Sequence, residues 1–221
     1  MSVWAILVAA GAGERLGNDR PKAFARLGDR PLLAESLARL DACEWIDRIV
    51  VAAPPGWEEP AILVAEELAA SKVVACVTGG VTRAESVRAA LAEVDESAVA
   101  VLVHDAARPL VTDDVIRRVL APLAEGFAGA VPGIGVVDTV KRIEQSVVRE
   151  TLDRDNLVAV QTPQAFDVEV LRRAYAGDLT GATDCASLVE AAGGRVLVVE
   201  GDVRLLKITT RADLDLVASW L

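Results

Sequence analysis

The residues with the clearest chemical potential lie where short apolar runs end. The first run leads directly into Gly11-Ala12-Gly13-Glu14-Arg15-Leu16-Gly17, and Pro21-Lys22 follows soon after. Glycines at a strand end let backbone N–H groups approach phosphate oxygens without an intervening Cβ. Arg15 offers a planar fork for phosphate oxygens, and Lys22 offers a mobile point charge. The spacing G-x-G-x-x-x-G departs from a dinucleotide fingerprint, and the second strand ends in Ala-Ala-Pro-Pro with no acid for a ribose diol. A Walker loop is excluded too, because no Lys-Ser or Lys-Thr pair follows the last glycine. Strand, glycine loop, arginine and lysine together point to a nucleoside triphosphate.

Further groups sit at later run ends. Gly79-Gly80 precedes Arg83, Glu85 and Ser86, and two glycines permit a flat base to approach the backbone. In His104-Asp105-Ala106-Ala107-Arg108-Pro109, Asp105 is placed to hold sugar hydroxyls or help position Mg²⁺, and Arg108 can meet a phosphate. His104 is the sole histidine, and beside a buried strand it reads as structural and not as a catalytic base. Asp138-Thr139-Val140-Lys141-Arg142, Asp153-Arg154, Gln161-Thr162-Pro163-Gln164, Thr183-Asp184 and Lys207-Ile208-Thr209 each read alone as surface charge or turn chemistry.

The elements that must position these groups follow an α/β rhythm. Val- and Ile-rich runs at 3–9, 48–53, 72–77 and 98–103 predict buried parallel strands, and 31–42, 58–70 and 83–93 carry helical spacing between them. Thr82 and Glu85 form a capping-box pattern at the start of the third helix, and Thr210 with Asp213 suggests the cap of a last one. After 128–136 the pattern changes: 138–155 is charged, with alternating β-branched residues, and predicts a hairpin arm with no core of its own. Such an arm packs on something, most simply a second copy of the chain. The chain then returns through 158–166, followed by helices at 167–176 and 184–192 and strands at 195–200 and 205–208. This alternation predicts a doubly wound, mostly parallel Rossmann-like sheet with ligands at the carboxyl ends of its strands.

Composition narrows the setting. The length of 221 residues fits one α/β domain, and 52% hydrophobic residues with 4% aromatics favour Ala, Val and Leu packing. A net charge of −10 argues against nucleic-acid or anionic-membrane partners, so an anionic ligand needs a local basic pocket. Cys43, Cys76 and Cys185 have no metal-ligand spacing and read as reduced thiols of a cytoplasmic protein. The opening apolar stretch, 3–10, lacks a basic flank and reads as a strand and not a signal peptide; no run is long enough for a membrane span.

Taken in order, A-A-G-A-G-E-R-L-G…P-K, G-G-V-T-R-A-E-S-V, H-D-A-A-R-P, D-T-V-K, Q-T-P-Q-A-F, T-D-C-A-S and K-I-T resemble the methylerythritol-phosphate cytidylyltransferase family, from Ala9 to about Asp213. The resemblance implies a nucleotidyltransferase domain over residues 1–221 with a dimerisation arm at about 138–156. It also implies transfer of a cytidylyl group from CTP, as its Mg²⁺ complex, to 2-C-methyl-D-erythritol 4-phosphate. The products are 4-diphosphocytidyl-2-C-methyl-D-erythritol and pyrophosphate, in the non-mevalonate route to isoprenoids. By resemblance, Arg15 and Lys22 stabilise the transition state at the α-phosphate, and Arg154 and Lys207 position the acceptor. Ala10, Gly11, Gly13, Gly80, Ser86 and Ala106 match the nucleotide pocket, while Asp105, Arg108, Thr139 and Thr162 match acceptor contacts. Thr139 and Arg154 lie in the arm and would reach the site of the other subunit in a homodimer. Val81 stands where some relatives carry an acid, so main-chain contacts are expected there. No residue is assigned as a dedicated metal ligand; Mg²⁺ is expected mainly on the CTP phosphates.

The acceptor phosphate, with a second pKa near ~6, is mostly dianionic at neutral pH and needs no general base. The obstacle is repulsion between two anions, and the four cations answer it. A ribitol-5-phosphate cytidylyltransferase shares most of these motifs, and a non-catalytic nucleotide-binding module and an NAD-dependent oxidoreductase complete the alternatives.

Overall fold

The computed structural model describes residues 2–11, 13 and 20–221. Its centre is β1 (Ser2–Val8), preceding the short hairpin β2 (Arg26–Leu27) and β3 (Arg30–Pro31). Next come α1 (Leu32–Ala42), β4 (Arg48–Ala53), α2 (Glu58–Glu67), β5 (Val73–Thr78), α3 (Arg83–Leu91) and β6 (Ala98–Asp105). β1 pairs in parallel with both β4 and β6, and β4 pairs in parallel with β5. The predicted parallel half of the sheet is therefore present.

The later half mixes directions. After α4 (Asp113–Ala124), β7 (Gly129–Gly135) runs to the hairpin β8 (Lys141–Glu144) and β9 (Val147–Thr151). The return passes through β10 (Val158–Val160) and β11 (Gln164–Asp167), and β11 lies antiparallel between β6 and β7. Then follow α5 (Val168–Tyr175), α6 (Cys185–Ala191), β12 (Val196–Glu200), which pairs in parallel with β7, and α7 (Arg211–Ala218).

Strand periodicity explains why helices cover both faces. Ala5, Leu7, Ile49, Val51 and Leu102 point to a core shared with α1, α2 and α4. Their neighbours Trp4, Ile6, Val50, Val101 and Val103 point to the opposite core, shared with α3, α5 and α6. Phe166 of β11 is wholly buried there, worth roughly 2 kcal/mol by area alone. A smaller cluster of Leu27, Leu32, Leu110, Ile208, Leu214 and Val217 seats α7 against the β2–β3 hairpin.

Caps set several helix starts. Both capping boxes are formed: Thr82 Oγ1 accepts from Glu85 N at 3.1 Å while Glu85 Oε2 accepts from Thr82 N at 2.9 Å, and Thr210 and Asp213 repeat the exchange. Asp184 caps α6 by accepting from Ser187 N at 2.9 Å.

The hairpin of β8 and β9 pairs only with itself among the described residues, and every residue from 141 to 151 is exposed. Gln145 and Ser146 both have positive φ, the conformation of a type I′ two-residue turn. One sequence expectation is overturned. Residues 205–208 form no strand: Asp202 accepts from Arg204 N at 2.8 Å and winds Val203–Leu205 into a 3-10 turn. Leu205 and Ile208 are buried, so the apolar signal was real, but they plug gaps beside the sheet and join no ladder.

Candidate active site

A cavity of about 250 Å³ opens at the carboxyl ends of β1 and β6. Its floor is Val8, Ala9, Ala10 and Gly11, with Ala106 and Ala107 beside them. One wall is the turn from Gly80 to Arg83 with Ser86; Lys22 and Ala23 form another, and Asp105 and Lys207 stand at the rear. The sheet makes this site because β1 and β6 end side by side, with Val8 opposite Asp105. Chain segments leaving adjacent parallel strands diverge there and leave a crevice.

The Gly79-Gly80 turn is shaped by close approach. A Cβ on Gly79 would stand 2.3 Å from Ala10 Cβ, and one on Gly80 would stand 2.3 Å from Glu85 Cβ. Ser86, almost wholly buried, locks the turn: its Oγ accepts from Gly80 N at 3.0 Å and donates to Thr82 O at 3.0 Å. Gly13 has φ +75°, and a Cβ there would meet Lys22 Cβ at 2.5 Å, so Gly13 packs directly against the lysine. Val81 is 99% exposed at the rim, an apolar side chain with nothing behind it.

Asp105 is the electrostatic hub. Its Oδ1 accepts from Arg83 Nε at 2.8 Å and its Oδ2 from Lys207 Nζ at 2.6 Å. Burial alone would raise the carboxyl's pKa, but the charges of Arg83 and Lys207 outweigh it and hold the group well below the ordinary carboxylate range. With both oxygens on cations, Asp105 is committed, and it is the one carboxylate among the described lining residues. No group of three or more metal-ligating side chains occurs among the described residues either. The described residues thus build no cage for a divalent ion.

Behind the hub, His104 is completely buried, and burial pushes its pKa down to about 4. Its Nε2 lies 3.0 Å from Arg108 O, which can only accept, so the neutral ring carries its proton on Nε2. Nδ1 must then accept from the Thr162 hydroxyl at 3.1 Å, and Thr162 Oγ1 accepts from Asp105 N at 3.0 Å. Both ring nitrogens are used, so His104 is a structural node and not a base. Thr162 is buried beneath the cavity and steadies the Asp105 backbone.

The segment carrying Lys207 is tied down at intervals. Gly201 N donates to Gly133 O at 2.9 Å. Gln161 and Asp202 clasp each other through Nε2 to O at 2.9 Å and N to Oε1 at 3.1 Å. Arg108 Nη1 donates to Leu205 O at 2.5 Å, and Ile208 N donates to Ala107 O at 2.9 Å.

The predicted site residues therefore divide. Ala10, Gly11, Lys22, Gly80, Ser86, Asp105, Ala106 and Lys207 line one cavity. Gly13 packs on Lys22, while Arg108 and Thr162 act from behind. Thr139 and Arg154 are exposed near the hairpin base, outside this cavity, with Arg154 Nη1 donating to Val137 O. Arg15 lies outside the described residues. Arg83 was missed: nothing in its local sequence distinguishes it from an ordinary first-turn helix residue. The available signal was the proximity of a buried acid at another strand end, which only the topology reveals.

Comparison with known proteins identifies the family. The family model for 2-C-methyl-D-erythritol 4-phosphate cytidylyltransferase matches residues 3–221. A protein of that name from Nocardia farcinica is 45% identical over 221 residues, covering 100% of this chain and 94% of that one. The Francisella tularensis crystal structure of that enzyme superposes with a TM-score of 0.84 at 31% identity, covering 100% of this chain and 99% of that one. That from Thermus thermophilus gives 0.79 at 34% identity, covering 100% and 98%. The chain belongs to the 2-C-methyl-D-erythritol 4-phosphate cytidylyltransferase family.

Proposed function

We propose that the protein transfers the cytidylyl group of CTP to 2-C-methyl-D-erythritol 4-phosphate, releasing pyrophosphate, in isoprenoid biosynthesis by the non-mevalonate route. The carrying observation is the convergence of Lys22, Lys207 and the glycine-lined strand ends on one cavity, in a chain of this family. An acceptor phosphate oxygen attacks the α-phosphorus of CTP; a new P–O bond forms as the α–β bridge bond breaks, and pyrophosphate carries away the electron pair. The phosphate dianion, with pKa near ~6, supplies its own nucleophile. This agrees with His104, whose ring nitrogens are both committed.

Lys22, with Arg15, neutralises the donor's phosphates, and Lys207, with Arg154, holds the acceptor in line. Ala10, Gly11, Gly13, Gly80, Ser86 and Ala106 surround the nucleotide, and Asp105, Arg108, Thr139 and Thr162 serve the acceptor side. CTP enters as its Mg²⁺ complex, whose metal neutralises triphosphate charge. The protein works in the cytoplasm as one nucleotidyltransferase domain per chain. Two copies pair through the arm, so that Thr139 and Arg154 complete the partner's site. Support for this comes from the exposed Ile143, Val147 and Val148 on the hairpin and from an Arg154 side chain unburied in one copy.

The deciding experiment measures pyrophosphate release from CTP and Mg²⁺ with methylerythritol phosphate and ribitol 5-phosphate in parallel. Release confined to methylerythritol phosphate is the expected result. Release confined to ribitol phosphate overturns the acceptor, and release with neither overturns the activity.

A further inference from the structure

Among the described residues, Arg83 is the half-buried cation lining the cavity that the reaction as described leaves without a task. It enters at the first residue of α3, directly after the Thr82 cap, and its guanidinium reaches across to Asp105 Oδ1 at 2.8 Å. From behind, Nη1 faces Cys185 Sγ at 3.4 Å, and Cys185 in turn receives Tyr175 Oη at 3.1 Å. Nη2 is buried and has no hydrogen-bond partner among the described residues. The guanidinium side chain is 22% exposed, whereas its opposite number on Asp105, the Lys207 side chain, is 43% exposed. One carboxylate is thus gripped by two cations of unequal freedom: a largely enclosed arginine and a more exposed lysine.

An acceptor phosphate requires Lys207, yet Lys207 begins on Asp105. Removing it from a buried carboxylate with no other partner would leave an uncompensated charge, a strongly unfavourable state. We propose that Arg83 is a positioning residue that keeps Asp105 paired, so that Lys207 can pass from the carboxylate to the acceptor phosphate at small cost. Asp105 is then the resting berth of Lys207, and Arg83 sets how firmly it is held there. This rests on Lys207 being an acceptor-binding cation.

The test is steady-state pyrophosphate release with methylerythritol phosphate varied at saturating CTP, with each variant's fold checked by thermal unfolding. Lys207→Ala is the reference arm; full activity there overturns the acceptor role itself and not the part given to Arg83. With Lys207→Ala impaired, Arg83→Gln raises the acceptor KM about tenfold and leaves the CTP KM within about twofold. Arg83→Lys, which keeps the charge but loses the fork, raises it about threefold. A merely structural arginine would move both KM values alike or neither, and Arg83→Lys would recover nothing. If Arg83→Gln does not fold, Arg83→Lys decides the matter. An acceptor KM unchanged in the folded variants, or a CTP KM that rises along with it, overturns the proposal.

Discussion

The strand-end cavity and the β8–β9 hairpin both carry paired opposite charges, but the pairs differ in kind. At the cavity, Asp105 is buried and bridges Arg83 and Lys207 at 2.8 and 2.6 Å. On the hairpin, Arg142–Glu150 and Arg149–Glu144 are nearly as short, at 3.1 and 2.8 Å, yet each side chain is more than half exposed. Distance alone does not distinguish them; solvent does. Water screens the hairpin pairs and leaves them nearly free of energetic consequence, whereas a pair shielded from water must be kept whole. The cavity's charges are therefore tied to stability, whereas the hairpin's charges sit in water and contribute little to it.

The largest break in this contrast is expected from Lys22→Ala, which lowers kcat by up to about a thousandfold in steady-state assays while the thermal unfolding midpoint stays near that of the parent. Full activity would remove Lys22 from the donor site. Asp105→Ala comes next, because it leaves the largely enclosed Arg83 without its carboxylate while Lys207 turns to water. Urea unfolding is expected to show a loss of about 3 kcal/mol at an unchanged m value.

Acid should act through His104. Its pKa is about 4 in the fold and ordinary when unfolded, so the unfolded chain binds a proton first as pH falls. The neutral ring's contribution is whole above about pH 6.5, declines as pH falls, and is fully lost near pH 4. Between neutral pH and pH 5 it amounts to about 2 kcal/mol, readable by denaturant titration at both pH values. His104→Gln should flatten that part of the profile. A smaller effect is expected from Gly80→Ala, whose new Cβ would collide with Glu85 Cβ at 2.3 Å and push the turn into the cavity. The CTP KM should rise about tenfold with the acceptor KM little changed. Smallest of all, Arg142→Ala on the hairpin should leave the unfolding midpoint unmoved; a clear drop would show that this pair is shielded after all.

Much of this was legible in the sequence where the signal is local. Continuous apolar runs marked the parallel strands, because a sheet buried on both faces needs unbroken Val, Ile and Ala. Thr82–Glu85 and Thr210–Asp213 announced their helices, since a capping box is a contact between residues three apart. The hairpin was visible as alternation without a core. Residues 205–208 were misread because burial of Leu205 and Ile208 imitates a strand, while the choice between ladder and turn was made by Asp202, outside the apolar run. Arg83 and Thr162 were harder still. Their roles lie in contacts with Asp105 across 22 and 57 residues, and no local pattern encodes such a partner.

The segment after β12 has one further consequence. It is fastened at Gly201, Asp202, Leu205 and Ile208, so Lys207 sits on a stretch pinned on both sides. Surface connections ordinarily accept extra residues cheaply, since added length costs little closure entropy. Here the stretch behaves as a ruler. A single inserted residue between Leu205 and Ile208 would leave both pins in place and still carry the lysine away from Asp105. In this part of the chain the spacing between pins, as much as the identity of the lysine, is what places its charge.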